Sequence, residues 1–563
     1  MVRVRRLLLL LLLAPLPFAT APKLTAQSTP APSGWPPIQG ERARADLYRL
    51  ADDSMGGRAP GSRGNFLTTE YIASEFRRLG LEPAGDAGTY FQRVPFVVEH
   101  LSDGTFFRAG DVPLTLGEDF LPAVWLPNRP LSLDGVETVY AGDAFDSSRW
   151  ISPESAAGRV VVLTVGTNPA VQRRYISTRI VGTATHWQRA AAVVLVELDL
   201  LPVGVRRATI DGRLTVSQPE AAADLPPLVL LTPHGAQALF PTPLDQLRPG
   251  ATGHRVQATA AMVGDPTPYP ARNVVAVLPG SDPRLRHEYV ALSAHNDHVG
   301  LTGAPPVDHD SVRAYNRVIR PMGADSPDRP PTTEEWTRIR AILDSLRARF
   351  RPRPDSIQNG ADDDGTGTVS LLELARVFSE QSDRPRRSLL FVSHTGEEYG
   401  LLGSAWYAQH PTVPRDSIVA EIDQDMVGRG GLEDLPDGGP AYLEVIGAWR
   451  LSTQFGDMLT AANARLPEPF VFNLTYDQPG HPLQYYCRAD HYSYARWGIP
   501  SVALSRGEHL DYHQVTDEAQ YIDYDALARV TGLVYLFASE VANADHRPML
   551  DGPRPDPNAP CRQ

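Results

Sequence analysis

Apolar residues recur along this chain in two alternating rhythms. Between Asn65 and Leu79 they fall at Leu67, Tyr71, Ile72, Phe76 and Leu79, the spacing of a helix with one buried face. Glu41 to Leu50 and Tyr524 to Val541 carry similar helical patterns, and another runs through Val369, Leu371, Leu372, Leu374, Ala375 and Phe378. Short continuous apolar runs predict buried strands at Asn273–Leu278, Tyr289–Ser293, Arg387–Ser393 and Ser417–Ile422. Strands alternating with helices in this way predict an α/β domain, with a mixed, mainly parallel sheet sandwiched by helices.

Two stretches interrupt the rhythm. From Leu131 to Met262, short strand-like runs at Gly158–Val165, Ala190–Val196 and Leu228–Leu231 alternate with small helices and Pro-rich turns. The histidines there (His186, His234, His254) are scattered and no acidic cluster accompanies them, so 131–262 is expected to be an inserted, smaller β-rich domain without chemistry of its own. A second insertion spans 301–358. Its later part predicts an amphipathic helix over Thr332–Phe350, with Trp336, Ile339, Leu343, Leu346 and Phe350 on one face and Thr332 and Glu335 at capping-box spacing. The expectation is a helix packed on the core; a lid over a site is the sharper alternative. The loop Gly56–Gly61 reads as a connector whose Arg58 makes a substrate contact conceivable.

The N-terminus changes the picture again. Arg3, Arg5 and Arg6 precede an unbroken leucine run from Leu7 to Leu13, followed by small residues at Ala19, Ala21 and Ala26. This is the pattern of a secretory signal peptide, with cleavage expected after Ala26. No later apolar run approaches the roughly 20 residues of a membrane span. The expected layout is a leader at 1–26, a linker at 27–40, the first part of the main domain at 41–130, the inserted domain at 131–262, the rest of the main domain at 263–545, and a loose Pro-rich tail at 546–563. The product is expected to be soluble and secreted or periplasmic. A formal net charge of −13 argues against a nucleic-acid partner and suits cation binding. Only Cys487 and Cys561 occur. Export permits a disulfide between them, and two cysteines exclude a thiolate-rich structural zinc site, leaving His and carboxylates to hold any metal.

Candidate chemistry collects where the strands end. The second predicted strand runs into His295-Asn296-Asp297-His298, the third into His394-Thr395-Gly396-Glu397-Glu398, and the fourth into Asp423-Gln424-Asp425. In open α/β sheets, sites gather at the carboxyl ends of strands. The loop Asn359-Gly-Ala-Asp-Asp-Asp-Gly-Thr-Gly367 places three adjacent aspartates before a helix with no Lys or Arg beside them. Such a loop fits a metal ion or, more blandly, an acidic turn capping a helix. His and carboxylate donors together suit a two-metal hydrolase, in which paired ions clamp an attacking oxygen and a developing oxyanion.

The motifs resemble those of the M28 zinc peptidases, an aminopeptidase family. His295-Asn-Asp297-His298-Val-Gly is similar to its H-x-D motif, Asn359-Gly-Ala-Asp-Asp363 to its bridging-aspartate motif, and Thr395-Gly-Glu397-Glu398 to its double-glutamate motif. Asp425-Met-Val-Gly and Tyr512-His513-Gln-Val-Thr-Asp517 complete the series in order. The resemblance covers about Glu41 to Asn543, and 131–262 resembles the protease-associated (PA) domain that many members carry. It implies the zinc-dependent exopeptidase fold and two zinc ions per chain, with peptides as substrates. Asp363 would bridge the ions, His295 and Asp425 would complete one, and Glu398 and His513 the other. Asp297 would orient His295. Glu397 would take a proton from the attacking water and pass it to the leaving amine. Tyr512 would donate to the oxyanion. His298, His394, His491 and His509 are expected to be supporting, as are Asp362, Asp364 and Asp490. Asp423 stands where the family commonly has Asn, adding negative charge near the metals. The reaction implied is removal of N-terminal residues from peptides. A glutaminyl cyclase-like enzyme uses one zinc, against the retention of His295 and Asp425; a carboxypeptidase-type relative and a non-catalytic binding homologue are the remaining alternatives.

Overall fold

The computed structural model describes residues 38–123, 129–165, 184–201, 203–217, 225–303, 305–349 and 351–563. The expected leader, most of the linker and Phe350 lie outside the described residues. The rest is built around a sheet that holds nine strands among the described residues. At its centre Ser388–His394, Tyr289–His295, Ile418–Gln424 and Ser501–Ser505 lie side by side and parallel. Arg272–Leu278 pairs antiparallel on one flank, and Tyr442–Ile446 on the other. The expected mixed sheet is therefore parallel in its middle and antiparallel on both flanks, with one further parallel pair where Val471–Asn473 joins Tyr442–Ile446 at the edge. The three central strands 289–295, 388–394 and 418–424 are buried at every position except the half-buried Tyr289, which is why they read as continuous apolar runs rather than alternating ones.

Helices cover both faces. Gly40–Leu50, Arg63–Arg78, Gly367–Glu380 and Tyr524–Asn543 pack on one side, and Leu402–Gln409 and His491–Ala495 on the other. The helix Gly367–Glu380 is buried from Gly367 through Phe378, because it lies between the sheet and the other helices of its layer.

A second sheet of eight strands runs in the order Val112–Leu114, Phe106–Ala109, Thr252–Ala260, Leu131–Asp143, Val160–Thr164, Ala192–Val196, Leu228–Leu231, Phe120–Pro122 among the described residues. It has apolar clusters on both faces, including Phe107, Phe120 and Val256 on one and Trp187, Val161 and Leu195 on the other. The chain leaves and returns at one place, since Phe96–Leu101 pairs antiparallel with Met262–Pro266. The expected boundary at Leu131 needs correction: three strands between Phe106 and Pro122 belong to this second sheet. They are only three or four residues long, too short for an alternating pattern to be read from sequence.

The 301–358 insertion forms two packed helices, His309–Ile319 and Thr333–Arg347, around Ala314, Ile319 and Ile339. The predicted Thr332 and Glu335 capping box is present. The second helix buries little besides Ile339 and rests on its partner helix, not on the main core. The C-terminal tail is pinned where a loose end was expected. Cys487 and Cys561 form a disulfide, and Gln563 bonds to the backbone of Tyr486 and Tyr476. No described helix is long and apolar enough to cross a membrane.

Candidate metal centre

The register of the central strands brings the donors together. His295 pairs with His394 across neighbouring strands, and Ser293 with Asp423. The turns that follow therefore open at one edge of the sheet. The aspartate loop arrives there from the insertion side, through a peptide between Asp363 and Asp364 that is cis.

Each aspartate of that loop has a different occupation. Asp362 accepts from the Gly428 amide at 2.8 Å and the Thr366 hydroxyl at 2.9 Å, and its other oxygen lies 3.1 Å from His509 Nε2. Asp364 accepts from the amides of His295, Gly367 and Met426. Asp517 caps the loop by accepting from the amides of Asp362 and Asp363. The Asp363 carboxylate is turned toward two imidazoles at once: His295 Nε2 is 3.2 Å from one oxygen and His513 Nε2 is 2.9 Å from the other. Burial raises the Asp363 pKa, but the close imidazoles of His295 and His513 outweigh it and hold the carboxyl well below its ordinary range.

Two donor groups form around Asp363. One joins His295, Asp363 and Asp425; the other joins His298, Asp363, Glu398 and His513, and within each group the donor atoms lie within 4.8 Å of one another. In the second group Glu398 sits 2.8 Å from His513 Nε2. All five expected ligands are thus brought together. His298, expected as a supporting residue, also points its Nδ1 into the second group, 2.5 Å from Glu398. Its position three residues after His295 was the available signal. In strand-like backbone that spacing alone sends a side chain to the opposite face, and here the chain has left the strand.

The donors fit a cation. His295 Nδ1 lies 3.1 Å from the carbonyl oxygen of Asp297, an acceptor only, so Nδ1 carries the proton there. A neutral ring then aims its Nε2 lone pair at the carboxylates of Asp363 and Asp425, 3.2 and 3.7 Å away. Acceptor facing acceptor demands a positive charge between or on them. Buried His295 Nε2, His298 Nδ1, His513 Nε2, Glu398 Oε1 and Asp425 Oδ1 all lack a hydrogen-bond partner. Such a set of orphaned nitrogen and carboxylate donors is the composition of a zinc site.

Around the donors, Asp297 has a task besides facing His295. Its carboxylate is 3.7 Å from His295 but accepts from the amides of Gly396 and Glu397 at 2.6 and 3.3 Å. The imidazole is oriented by the Asp297 main chain, while the carboxylate fixes the turn carrying Glu397 and Glu398. Glu397 lines the same pocket as Asp363 and Asp425. Burial first, then Asp425 and Glu398, push its pKa well above the usual value, against the pull of His295.

Tyr512 lines that pocket too, and its phenol oxygen accepts a hydrogen bond of 3.2 Å from the Arg488 guanidinium. Arg488 in turn holds Asp325 of the 301–358 insertion at 2.5 Å, and the Ala324 amide bonds the Tyr512 carbonyl at 3.1 Å. Neither Arg488 nor Asp325 is marked as functional by sequence pattern, because they meet only across 163 positions of chain. One expectation is corrected. Arg58 makes no outward contact: it is buried and donates to the carbonyls of Leu50, Asn296, Asn359 and Gly360, holding the aspartate loop. Asp423 adds charge close to Asp425 and His295, from a buried position where Ser293 donates to it at 2.9 Å.

Residues 273–538, which contain every one of these donors, match the model of peptidase family M28. Among curated relatives, leucine aminopeptidase 1 of Paracoccidioides brasiliensis (strain Pb03) is 34% identical over 225 residues, 37% of this chain and 54% of that protein. The chain thus spans about half the length of the curated relatives it first matches. Among solved structures, an aminopeptidase from Aneurinibacillus sp. strain AM-1 is 17% identical with a TM-score of 0.47, covering 92% of this chain and 97% of that one. A zinc aminopeptidase from Bacillus subtilis is also 17% identical, with a TM-score of 0.45 over 92% and 98% of the two chains. Over the segment that carries the donors, the chain is thus similar to peptidase family M28.

Proposed function

We propose that the chain is a zinc-dependent aminopeptidase that hydrolyses the N-terminal bond of peptides with two zinc ions per chain. The observation that carries this reading is the pair of donor groups sharing Asp363. His295 and Asp425 would complete one ion, and Glu398 and His513 the other, with His298 adjoining the second. When bound, the zinc ions supply the positive charge that acidifies a water at neutral pH and polarises the scissile carbonyl. Glu397 accepts the water proton and returns it to the leaving amine. Asp297 keeps Glu397 in place through the amides of Gly396 and Glu397. The Tyr512 oxygen is already bonded by Arg488, so its own proton is free to be donated to the oxyanion. Acidic groups around the site hold the free α-ammonium of the substrate.

The disulfide between Cys487 and Cys561 supports an oxidising compartment, secreted or periplasmic. The second sheet reads as an inserted PA-type domain, since it is entered and left at one antiparallel pair and contributes none of the donors.

The test is Glu397→Gln. Zinc content stays at two per chain while turnover of aminoacyl reporters falls by roughly 10²–10⁴-fold; undiminished turnover removes Glu397 as the base. A parallel panel of free and N-terminally blocked peptides decides the reaction, and cleavage of only the blocked ones sinks the aminopeptidase reading.

A further inference from the structure

The pocket that opens on Asp363, Glu397 and Asp425 does not end at them. Its far side is lined by Glu444, Glu508, Tyr485, Ile446 and Ala503. Glu508 is only 6% exposed, and its Oε2 has no hydrogen-bond partner. Glu444 is 2% exposed and accepts from the Tyr442 hydroxyl at 2.5 Å. Room for it depends on Gly507, where a Cβ would stand 2.7 Å from Glu444 Oε1 and where φ is +88°. Neither glutamate belongs to the donor groups or to the proton path from Glu397.

A pocket for a purely apolar side chain has no use for these groups. Burying an unpartnered carboxyl costs free energy that an alanine or leucine there would avoid. The nearby cation does not account for them. Arg488 gives one nitrogen to Asp325 at 2.5 Å and another to Tyr512, and it stays 4.0 Å from Glu508. Its charge is matched by Asp325; Tyr442 bonds Glu444, and Tyr485 and Asp325 bond Glu508, which leaves Glu508 Oε2 as an unpartnered carboxylate atom lining the pocket. An orphaned acceptor calls for a donor, and a cationic donor satisfies it where an apolar one does not.

We propose that Glu508, with Glu444 behind it, is the specificity determinant of this pocket and selects substrates whose N-terminal residue carries a cationic side chain, lysine or arginine. The idea rests on the aminopeptidase reading and adds the substrate class to it. The aliphatic stem lies along Ile446 and Ala503, and the ammonium or guanidinium donates to the orphaned Glu508 oxygen. Burial pushes Glu508 up to about 9 and Glu444 up to about 7, and a cationic group beside them would favour their ionised forms.

The experiment compares the zinc-loaded full chain with Glu508→Gln, using N-terminal lysyl and norleucyl reporters that differ in the terminal ammonium. The native chain should prefer lysyl in kcat/KM by roughly tenfold or more, the value of one charged hydrogen bond, and Glu508→Gln should erase that preference while changing norleucyl by less than about threefold. Equal cleavage of both reporters by the native chain overturns the proposal. So does an equal loss for both in the variant, which would mark Glu508 as a holder of the α-ammonium or of the fold. If neither reporter is cleaved, the reaction reading fails on its own. Calorimetry with L-lysine amide and L-norleucine amide then decides the pocket, tighter lysine amide binding lost in Glu508→Gln sustaining it and equal binding refuting it. Glu444→Gln provides the second variant and should weaken the lysyl preference in the same direction.

Discussion

Asp362, Asp363 and Asp364 are chemically identical and do three different jobs, because each carboxylate is committed by what its neighbours donate. Backbone amides, Thr366 and His509 occupy Asp362, and backbone amides occupy Asp364, whereas both oxygens of Asp363 face imidazoles. Sequence marks the run as a place for a cation, but amides donated from Gly428 and Met426 become visible only once the chain has folded. His298 shows the same limit: its spacing is plain in the sequence, and its direction is set by how the chain leaves the strand. A buried acid outside the site permits a test of single-residue electrostatics. Glu197, in the second sheet's domain, is 2% exposed with both oxygens unpartnered, and burial alone pushes it up to about 8. Because the folded state keeps the proton where the unfolded chain has lost it, this group makes stability fall as pH rises from about 4.5 to about 8. Glu197→Gln removes that dependence, so its melting temperature should gain on the native chain more at pH 8.5 than at pH 5. A gain independent of pH would show that the carboxyl does not titrate across this window.

At the scale of elements, the central strands were legible because complete burial writes an uninterrupted apolar run. The short strands from Phe106 to Pro122 were not: each is three or four residues long, and two of them join the sheet through partners more than a hundred positions away. The 301–358 insertion is likewise a question of partners. Its turn at Gly323–Asp325 holds the Tyr512 backbone and the Arg488 guanidinium, and Asn316 donates to the Leu510 carbonyl at 2.8 Å. These contacts make it a brace on the Leu510–Tyr512 loop in this structure. Asp325→Asn should therefore lower kcat by roughly tenfold, the value of one charge-assisted hydrogen bond, with zinc content and KM little changed. A rise in KM alone would assign Asp325 to substrate binding instead. The disulfide braces the neighbouring segment from the other side, linking Cys487 beside Arg488 to Cys561 across 74 positions. Loop-closure entropy for that separation is worth about 4 kcal/mol as an upper estimate. Cys561→Ser should lower the melting temperature by several degrees, and an unchanged value would mean the tail's bonds to Tyr476 and Tyr486 hold it unaided.

The whole molecule carries a formal net charge of −13, and the centre of its main domain concentrates that imbalance. Asp363, Glu397, Glu398 and Asp425 crowd around His295, His298 and His513, with Asp423, Glu421 and Asp490 buried behind them. Burial and mutual repulsion push Asp423 up to about 7 and Glu421 and Asp490 well above their ordinary values. A fold with this interior is expected to depend on the cations it binds, since removing them leaves like charges in a poorly solvated space. Binding that is specific for the folded state stabilises it by about 4 kcal/mol at a thousandfold excess over Kd. Stripping the protein with a chelator should thus lower its melting temperature markedly, and two equivalents of zinc should restore it. Asp363→Asn removes the residue shared by both donor groups, so it should abolish most of the zinc-dependent rise while leaving the chain folded. A native chain whose melting temperature ignores both chelator and zinc would mean that these carboxylates are neutralised by protons, and the two-ion centre would have to be given up.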